Sequence, residues 1–451
     1  MWHEVLYQIL NNINNVILMM IGIPFGLQLI YMLFFWVKKK VYPKSEKKAK
    51  VAFLIPAHNE SDVIFDTVKE IKDRQNYPSE LIDIYVICHN CDDDTAKLVQ
   101  EAGGIPLIYN NDNPKEKFLA YALNYGFKYL MDLDKKYDFI IRLDADNHIN
   151  KDFTSLMNDA FQDGCDFARP YESAINMTQN RYTKACGLYY IFDSRFSSRV
   201  RERFHIGAHI NGPGTMISMK ALKEKGGYNC TSISEDCEFM IDLMDRNVFG
   251  HFVEDAVVYE DLPSSFIDTY KRNIRIGSGS RGLIFGKLGK LFLKFFYRFK
   301  FSYLELFLTY FFNIICVILC TWIPLFYIYD VIYLALCGNG IIETINFTSS
   351  FYMTTLYNTL IIMGIALGVL FMFCGIFQGV LLVLLDYKKM GAKRRRDLLD
   401  GAFLFPAFTV VYCLTICLGM FSKPKWGKVS RNKQNSFEID ELDRQIFRLF
   451  S

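Results

Sequence analysis

Apolar residues divide the chain into a central segment with short apolar runs and two flanking segments with long ones. Residues 16–37 form the first long run, which has the length needed to span a bilayer core of roughly 30 Å. Three further runs cover residues 304–336, 353–385 and 402–421. The pattern predicts membrane helices at both ends of the chain.

Clusters of lysine and arginine flank these runs. Residues 38–40 and 44–50 are rich in lysine and follow the first run directly, and residues 388–396 separate two of the later runs. Because basic clusters stay on the cytoplasmic side, we expect residue 38 onward to be cytoplasmic. A basic flank behind the apolar run argues against a cleaved signal peptide, which carries its charge in front.

The basic tail at residues 423–433 conflicts with this orientation if every run crosses once. Either one run does not span the membrane, or another spans it twice. The run at 402–421 is short, contains Pro406 and is flanked by charge on both sides, so we expect it to be re-entrant. Residues 283–300 interleave apolar and basic residues, which is typical of a helix lying in the membrane interface.

The segment from residue 51 has the pattern of an α/β domain. Apolar runs at 51–55, 82–87 and 138–141 predict strands, and helical patterns cover 62–73, 94–102 and 117–131. Strands that alternate with helices predict a mostly parallel sheet, whose ligands collect at the carboxyl ends of the strands. Polar loops at 56–60, 89–95 and 144–147 all follow such strand ends, so we expect them to converge.

Composition agrees with a chain that is partly membrane-embedded and partly soluble. Hydrophobic residues make up 51% of the 451 residues and charged residues 22%. The net charge of +3 gives no basis for nucleic-acid binding. Several of the 12 cysteines lie inside apolar runs and indicate no disulfide framework.

Two acids follow the strand-like run at 138–141. Asp144 and Asp146 stand one residue apart at its carboxyl end. Buried carboxylates are costly unless a cation meets them. Mg²⁺ binds proteins through one or two carboxylates while substrate phosphates and water complete its shell. We therefore predict that Asp144 and Asp146 hold a metal that in turn holds a diphosphate.

Four motifs stand in a fixed order: the loop at 53–60, Asp144-Ala145-Asp146, the glycine pair before Tyr228, and Ser234-Glu235-Asp236. In this order the chain resembles the inverting family-two glycosyltransferases of GT-A fold. The resemblance covers about residues 51–279. It is greatest to the membrane-integrated branch, which includes the cellulose, hyaluronan and poly-N-acetylglucosamine synthases. It implies an α/β GT-A domain with flanking transmembrane and interfacial helices, a UDP-sugar donor, and Mg²⁺ or Mn²⁺.

The resemblance assigns roles to the acids. Asp236 takes the position of the catalytic base, with Glu235 beside it, and Asp144 contacts both donor and metal. A base opposite the leaving group is also what an inverting reaction requires, and a metal neutralises the departing diphosphate as a Lewis acid. The alternative for the Glu235-Asp236 pair is helix capping ahead of residues 237–244, which is compatible with catalysis.

Further residues match the family's donor-binding positions. The backbone of Ala57 and the side chain of Glu60 match the nucleotide-binding loop, although Glu60 is also explained as a first-turn helix acid. Asp93 matches the uridine-contacting loop, whereas His89 stands where an acid is usual. Lys117 is similar to a lysine that approaches the diphosphate but stands two residues early, and a solvated lysine at a helix start explains it equally well.

Residues 263–279 keep the spacing of the region that processive family members use near the acceptor. Arg275 survives there and is expected to pair with the diphosphate. Arg272 replaces the family glutamine and Ile276 the tryptophan, which weakens the argument for processive synthesis. The glycines at 277–282 predict a flexible link. The loop at 211–215 corresponds to an acceptor-side loop of the family or is a plain turn.

The sequence therefore predicts a membrane-bound glycosyltransferase that passes sugars from a UDP-sugar to a growing polysaccharide, in contact with membrane lipids. One alternative is transfer of a single sugar to a lipid or lipid-linked acceptor. Another is a sugar-nucleotide-binding membrane protein without catalysis, which the Asp144, Asp146 and Asp236 set argues against. The predicted regions are a transmembrane helix and basic linker (1–50), a cytoplasmic GT-A domain (51–282), an interfacial helix (283–300) and a transmembrane region with a basic tail (301–451).

Overall fold

The computed structural model describes residues 2–113, 116–210, 212–283, 287–338, 361 and 372–422. The predicted basic tail at 423–433 and most of the predicted apolar run at 353–385 lie outside these residues.

Within the described residues, one sheet of eight strands forms the centre of the α/β domain. The strand order is β3-β2-β1-β4-β7-β6-β8-β5. β1 to β4 run parallel to one another, β7 is antiparallel to both of its neighbours, and β8 is parallel to β6 and antiparallel to β5. The strands are β1 (Val51–Ala57), β2 (Ile82–His89), β3 (Ile105–Tyr109), β4 (Phe139–Arg142), β5 (His148–Ile149), β6 (Phe167–Ala174), β7 (Thr215–Ser218) and β8 (His251–Glu260).

The helices cover both faces of this sheet and continue beyond it. The three helices predicted between residues 62 and 131 are confirmed as α2, α3 and α4 below, with ends that shift by one or two residues. The helices are α1 (Trp2–Leu33), α2 (Ile64–Arg74), α3 (Thr95–Glu101), α4 (Leu119–Asp132), α5 (Phe153–Gln162), α6 (Arg181–Phe192), α7 (Arg199–Arg203), α8 (Met219–Lys225), α9 (Glu235–Asp245), α10 (Phe266–Leu283), α11 (Gly289–Arg298), α12 (Phe301–Cys320), α13 (Trp322–Gly338), α14 (Gln378–Asp386) and α15 (Leu399–Phe421).

The sheet is apolar on both faces because helices bury each one. Along β1, Val51 and Phe53 face a core that includes residues of α2, α3 and α5. Ala52 and Leu54 face a second core formed with α4, α8 and α9. Strands buried on both faces are continuous apolar runs, which is why the run at 51–55 was readable from sequence. The expected parallel half of the sheet is confirmed, and the antiparallel additions belong to the second half.

The apolar run at 304–336 forms two helices, α12 and α13, which meet at Thr321. The run at 402–421 lies within α15, one uninterrupted helix of 23 residues with Pro406 inside it. Within the described residues, 395–421 is the one helical stretch long and apolar enough to cross a membrane, and 44% of its apolar window is buried inside the structure.

Helix α10 corrects one prediction. The glycine-rich stretch at 277–282 is part of this continuous helix and not a flexible link. The reason is close packing against α15. A Cβ atom on Gly277 would lie 2.5 Å from the carbonyl oxygen of Ile416, and one on Gly419 would lie 2.7 Å from the carbonyl oxygen of Ile274. The glycines let two helix backbones touch, so they serve contact rather than flexibility.

We expect Gly277→Ala to lower the melting temperature because the new methyl group collides with the α15 backbone; overpacking of this kind typically costs about 1–3 kcal/mol. The measurement is thermal unfolding of the purified protein in detergent. Gly282→Ala is the matched control, since it lies on the same helix with no atom within 4 Å of its added Cβ. There, alanine should be neutral or slightly stabilising. Equal effects of the two changes would contradict the packing explanation.

Candidate active site

The carboxyl ends of three parallel strands meet at one edge of the sheet. β1 ends at Ala57 beside Cys88 of β2, and Leu54 of β1 lies beside Arg142, the last residue of β4. The loops that follow these strands hold most of the residues singled out in the sequence. Their convergence follows directly from the parallel pairing of β1 with β2 and β4.

The loop after β4 is a tight turn that presents the two predicted metal ligands. The backbone N–H of Asp144 donates to the side-chain oxygen of Asn147 (3.0 Å), and the N–H of Asn147 donates to the carbonyl of Asp144 (3.2 Å). From α2, the hydroxyl of Thr67 donates to the carbonyl of Ala145 (2.7 Å). The Asp144-Ala145-Asp146 backbone is therefore fixed before any ligand binds.

Arg142 lies beneath this turn and connects it to α9. Its guanidinium is 2.8 Å from Asp144 and 3.6 Å from Glu235, and its side chain is 8% exposed against 35% for Asp144. Burial alone would lower the pKa of Arg142, but the charges of Asp144 and Glu235 outweigh it and raise that pKa. The guanidinium is thus a permanent positive charge beneath a carboxylate that stays open to solvent.

Glu235 and Asp236 form the first turn of α9. Asp236 Oδ1 accepts a hydrogen bond from the N–H of Cys237 (2.7 Å) and so satisfies one of the free N–H groups in the first turn of the helix. Burial raises the pKa of Asp236 above its usual range. Burial, reinforced by the charge of Asp236, raises the pKa of Glu235 to about 8, although Arg142 opposes the shift. Perturbed carboxylates in such a cluster are typical of catalytic sites.

Gly212 closes this cluster from the loop before β7. It has a φ of +78°, and a Cβ atom placed on it would lie 2.4 Å from Nη1 of Arg142 and 3.3 Å from Oδ2 of Asp236. Only glycine combines this conformation with such a close approach. The structure therefore brings the loop predicted near the acceptor against the predicted base; Asn211 of that loop lies outside the described residues.

Helix α10 and the end of β8 add a second ion pair, in which an arginine of the helix meets an acid of the strand. Glu260, the last residue of β8, lies 3.2 Å from Arg272, whose guanidinium stacks over Tyr190 at 5.2 Å. Burial raises the pKa of Glu260; Arg272 opposes this, and the charges of Asp144 and Asp146 add to it.

Arg275 lies one turn further along α10. Burial and the neighbouring Arg272 lower the pKa of Arg275, and Glu235 and Asp144 act in the opposite direction. It is thus within electrostatic reach of the β4 turn and of α9, as its predicted diphosphate role requires.

The predicted nucleotide loops form one hydrogen-bonded unit at the ends of β1 and β2. Asp93 accepts from Thr95 through both its hydroxyl (2.5 Å) and its N–H (3.0 Å), and from the N–H of Ser61 (3.2 Å). Burial acts to raise the pKa of Asp93, but these hydrogen bonds outweigh it and lower the pKa to about 2. The N–H of Glu60 donates to the hydroxyl of Thr95 (2.9 Å), and the carbonyl of Ala57 accepts from Cys91 Sγ (3.5 Å).

His89 lies in the same unit with one unsatisfied atom. Its side chain is buried against Tyr109, with ring centroids 5.2 Å apart, and its Nε2 has no hydrogen-bond partner among the described residues. Burial, and the neighbouring side chains of His58 and Lys117, lower the pKa of His89 from its usual value, which favours the neutral ring at pH 7. Lys117 is exposed and precedes α4. Buried polar atoms normally have a partner, and Nε2 of His89 is an exception within the described part of the chain.

The carboxylate oxygens of Asp144 and Asp146 suit a hard divalent cation that a substrate helps to bind. No group of three His, Cys, Asp or Glu side chains in the described residues forms a closed metal cage. Asp144 and Asp146 present oxygen ligands near the further negative charge of Glu260. Mg²⁺ and Mn²⁺ are bound by oxygen atoms, and Mg²⁺ typically takes one or two carboxylates and completes its shell with phosphates and water. The residues present therefore fit the predicted metal.

Sequence reasoning missed two members of this cluster. Arg142 received no role, although a cation inside a buried strand, two residues before an acid, is itself a signal of a paired charge. Glu260 could not be found from sequence, because only the pairing of β8 beside β5 and β6 brings it to the β4 turn.

Comparisons with known proteins agree with this geometry. The sequence model of the family described as "Glycosyl transferase family group 2" matches residues 139–374, just over half of the chain. A protein named "Probable glycosyltransferase YdaM" of Bacillus subtilis is 26% identical over 271 residues, which are 58% of this chain and 62% of the relative. A poly-beta-1,6-N-acetyl-D-glucosamine synthase of Staphylococcus epidermidis is 23% identical over 56% of this chain and 61% of that protein.

The alignments thus cover about 62% of the length of the first curated relative. Among solved structures, a mannosyltransferase of Pyrobaculum calidifontis in complex with GDP-Man and Mn²⁺ superposes with a TM-score of 0.47 and 14% identity, covering 88% of this chain and 98% of that one.

We expect Glu235→Gln to change how stability depends on pH. The pKa of Glu235 rises from 4.5 to about 8 in the folded protein, so between these values the folded state holds a proton that the unfolded state has lost. Stability therefore falls as pH rises from about 5 to 8. The glutamine cannot ionise, so the variant should gain stability relative to the parent at pH 8 compared with pH 5. The measurement is the melting temperature across this range.

Glu238→Gln is the matched control on the same helix. Glu238 accepts hydrogen bonds from the backbone N–H groups of Thr231 and Ser232, and despite burial these bonds lower its pKa. It is ionised throughout this range in both states, so its replacement should cost the same stability at pH 5 and pH 8. If the melting temperature of Glu235→Gln changed between pH 5 and pH 8 as that of the parent does, the result would contradict the description of Glu235 as a buried acid with a raised pKa.

Proposed function

Because the chain belongs to glycosyl transferase family group 2, we propose that this GT-A-like domain transfers a sugar, with inversion, from a UDP-sugar to a growing polysaccharide at a membrane. The observation that carries the proposal is the cluster of Arg142, Asp144, Glu235 and Asp236 at the carboxyl edge of the sheet. The family is one of glycosyltransferases, so the non-catalytic alternative is set aside.

In this proposal the donor lies across the ends of β1, β2 and β4. The Ala57, Glu60 and Asp93 loops hold the nucleoside, and the partnerless Nε2 of His89 contacts its base. Lys117 lies beside this unit, where its charge acts on His89. A nucleotide site built on strand ends is the usual arrangement in open α/β sheets.

The diphosphate then lies over the β4 turn and faces α10. Asp144 and Asp146 would hold the Mg²⁺ or Mn²⁺ ion, which supplies Lewis-acid stabilisation of the departing diphosphate. Arg275 contributes a second positive charge from α10, close enough for Asp144 to act on it. Arg142 stays beneath Asp144, 2.8 Å away, and orients that carboxylate.

Asp236 acts as the base that removes the proton from the acceptor hydroxyl. Its pKa is raised by burial, which brings it closer to neutral pH, where a general base is most effective. Glu235 holds a proton near neutral pH and lies 3.6 Å from Arg142. With one of two adjacent acids protonated, the pair avoids placing two negative charges side by side.

Membrane attachment is supported by helices that expose apolar side chains. Met19, Leu33 and Trp36, in and just after α1, are exposed, as are Phe296 and Tyr297 on α11. Scattered exposed residues are normal, but a contiguous apolar surface marks contact with a membrane or another protein. Together with α15 and the basic clusters, these helices favour a chain of several membrane passes with its catalytic domain in the cytoplasm.

A polymeric acceptor is favoured by the relatives named poly-beta-1,6-N-acetyl-D-glucosamine synthase. Ile276 stands in place of an aromatic residue and favours the second candidate function. That function is transfer of a single sugar to a lipid or lipid-linked acceptor. An aromatic platform beside the acceptor would stack on sugar rings, and isoleucine offers no such face. The two candidates share one catalytic centre and differ only in the product.

The test is product analysis with the full chain in lipid nanodiscs, given radiolabelled UDP-sugars with Mg²⁺ or Mn²⁺ and no added acceptor. We expect label in a high-molecular-weight, glycosidase-sensitive product, and we expect chelation of the metal to abolish it. Label found only in an organic-extractable lipid would replace the polymer by single transfer. No transfer from any UDP-sugar, with or without lipid acceptors, would contradict the proposed function.

Asp236→Asn tests the proposed base in the same assay. A positioned base contributes roughly 10²–10⁴-fold in rate, so we expect a loss of that size with UDP binding retained. Asp245→Asn is the matched control at the other end of α9, where the acid pairs with Lys294 near the surface. Retained transfer by Asp236→Asn would contradict its assignment.

A further inference from the structure

Helix α12, which belongs to the apolar C-terminal region, reaches the underside of the candidate active site. Its Glu305 is fully buried, with a side-chain exposure of 0%. That carboxylate accepts hydrogen bonds from Arg201 (2.7 and 3.0 Å), from the hydroxyl of Tyr31 on α1 (2.9 Å) and from His209 Nε2 (2.7 Å). None of these residues takes part in the reaction proposed above, so the buried charge needs another explanation.

The hydrogen bond between Glu305 and His209 fixes which nitrogen of the histidine ring carries the proton. Burial and the nearby Arg201 lower the pKa of His209, and Glu305 opposes them. A carboxylate only accepts hydrogen bonds, so in the neutral imidazole the proton lies on Nε2. The ring of His209 therefore has one orientation and one tautomer, both set by α12.

His209 begins the loop that leads to Gly212. Its carbonyl accepts from Arg169 (3.1 Å), and the next N–H, of Ile210, donates to the sulfur of Met240 on α9 (3.2 Å). Gly212 then lies against Arg142 and Asp236. Side chain, carbonyl and following amide are all held, so the position of His209 sets where the loop meets the proposed base.

Tyr310, also on α12, touches both sides of this arrangement. Its ring stacks on that of His209, with centroids 6.3 Å apart and an angle of 23° between the planes. Its hydroxyl donates to Sγ of Cys237 (2.7 Å), and the N–H of Cys237 donates to Asp236 (2.7 Å). One side chain thus supports the acceptor-side loop and the first turn of α9 together.

We propose that Glu305 and Tyr310 of α12 are positioning residues for the transfer reaction, holding the Gly212 loop and Asp236 in their catalytic arrangement. The proposal rests on the proposed function for its kinetic consequence but not for its structural one. A displacement of α12 would move His209 and Cys237 together, so the helix links the apolar region to the proposed base.

Tyr310→Phe is the first test, because it removes one oxygen and keeps the ring. Misplacement of a reacting group by about 1 Å can cost on the order of 10²-fold, so we expect kcat to fall roughly 10- to 100-fold while the KM for the donor stays within about 2-fold. Hydrogen exchange of backbone amides at 212–215 and 235–238 should become faster. If Tyr310 only stabilised the fold, the change would lower the melting temperature but would not lower kcat at an unchanged KM.

Tyr303→Phe is the matched control. It lies on the same helix, is fully buried and also donates to α9, at the carbonyl of Met244 (3.2 Å), which is at the end remote from Asp236. We expect the kcat of Tyr303→Phe, and the rate of backbone amide hydrogen exchange at 212–215 in that variant, to equal those of the parent. Glu305→Gln should resemble Tyr310→Phe with a larger effect, whereas Glu254→Gln, which breaks a buried pair with Arg199 and Lys389, should change stability alone.

Unchanged kcat and unchanged exchange in Tyr310→Phe would overturn the proposal, as would equal changes in Tyr303→Phe. Hydrogen exchange separates this result from failure of the proposed function. If the parent protein transferred no sugar, faster exchange limited to Tyr310→Phe and Glu305→Gln would still support the positioning role. Parent-like exchange in both would contradict it whatever the activity.

Discussion

The buried guanidinium of Arg142 is the interaction on which the candidate site depends. It lies between Asp144 of the β4 turn and Glu235 of α9, with the backbone of Gly212 against its other side. Carboxylates in a water-poor site repel one another and lose hydration, so they ionise only if a cation compensates. The turn, the helix and the loop therefore share this one buried positive charge.

This dependence explains why the acids differ in character although they are neighbours. Asp144 is next to the guanidinium and partly open to solvent, which suits a ligand for a cation that in turn holds a diphosphate. Glu235 is buried and holds a proton near neutral pH. Asp236 is half-buried, and its Oδ1 accepts a hydrogen bond from a backbone N–H. One fixed positive charge and graded exposure thus give three neighbouring carboxyl groups different environments, as the proposed division between metal ligand and base requires.

Sequence alone predicted the parallel half of the fold and the edge of the sheet at which the polar loops meet. β1, β2 and β4 are continuous apolar runs, and their polar loops had to share an edge once the strands were parallel. The sequence did not reveal Glu260, whose place comes from the antiparallel half of the sheet, or Glu305, which is more than 60 residues from the acids it supports. The stretch from Gly277 was misread because packing against α15 overrides its preference for a loop.

The most direct test of the account is a cryo-EM structure of the full chain in nanodiscs with UDP and Mn²⁺. We expect density for the ion beside Asp144 and Asp146, for the diphosphate between that turn and Arg275, and for the uracil ring of UDP against His89. Nucleotide bound elsewhere, or a metal held by other residues while Arg142 keeps its contacts with Asp144 and Glu235, would contradict it.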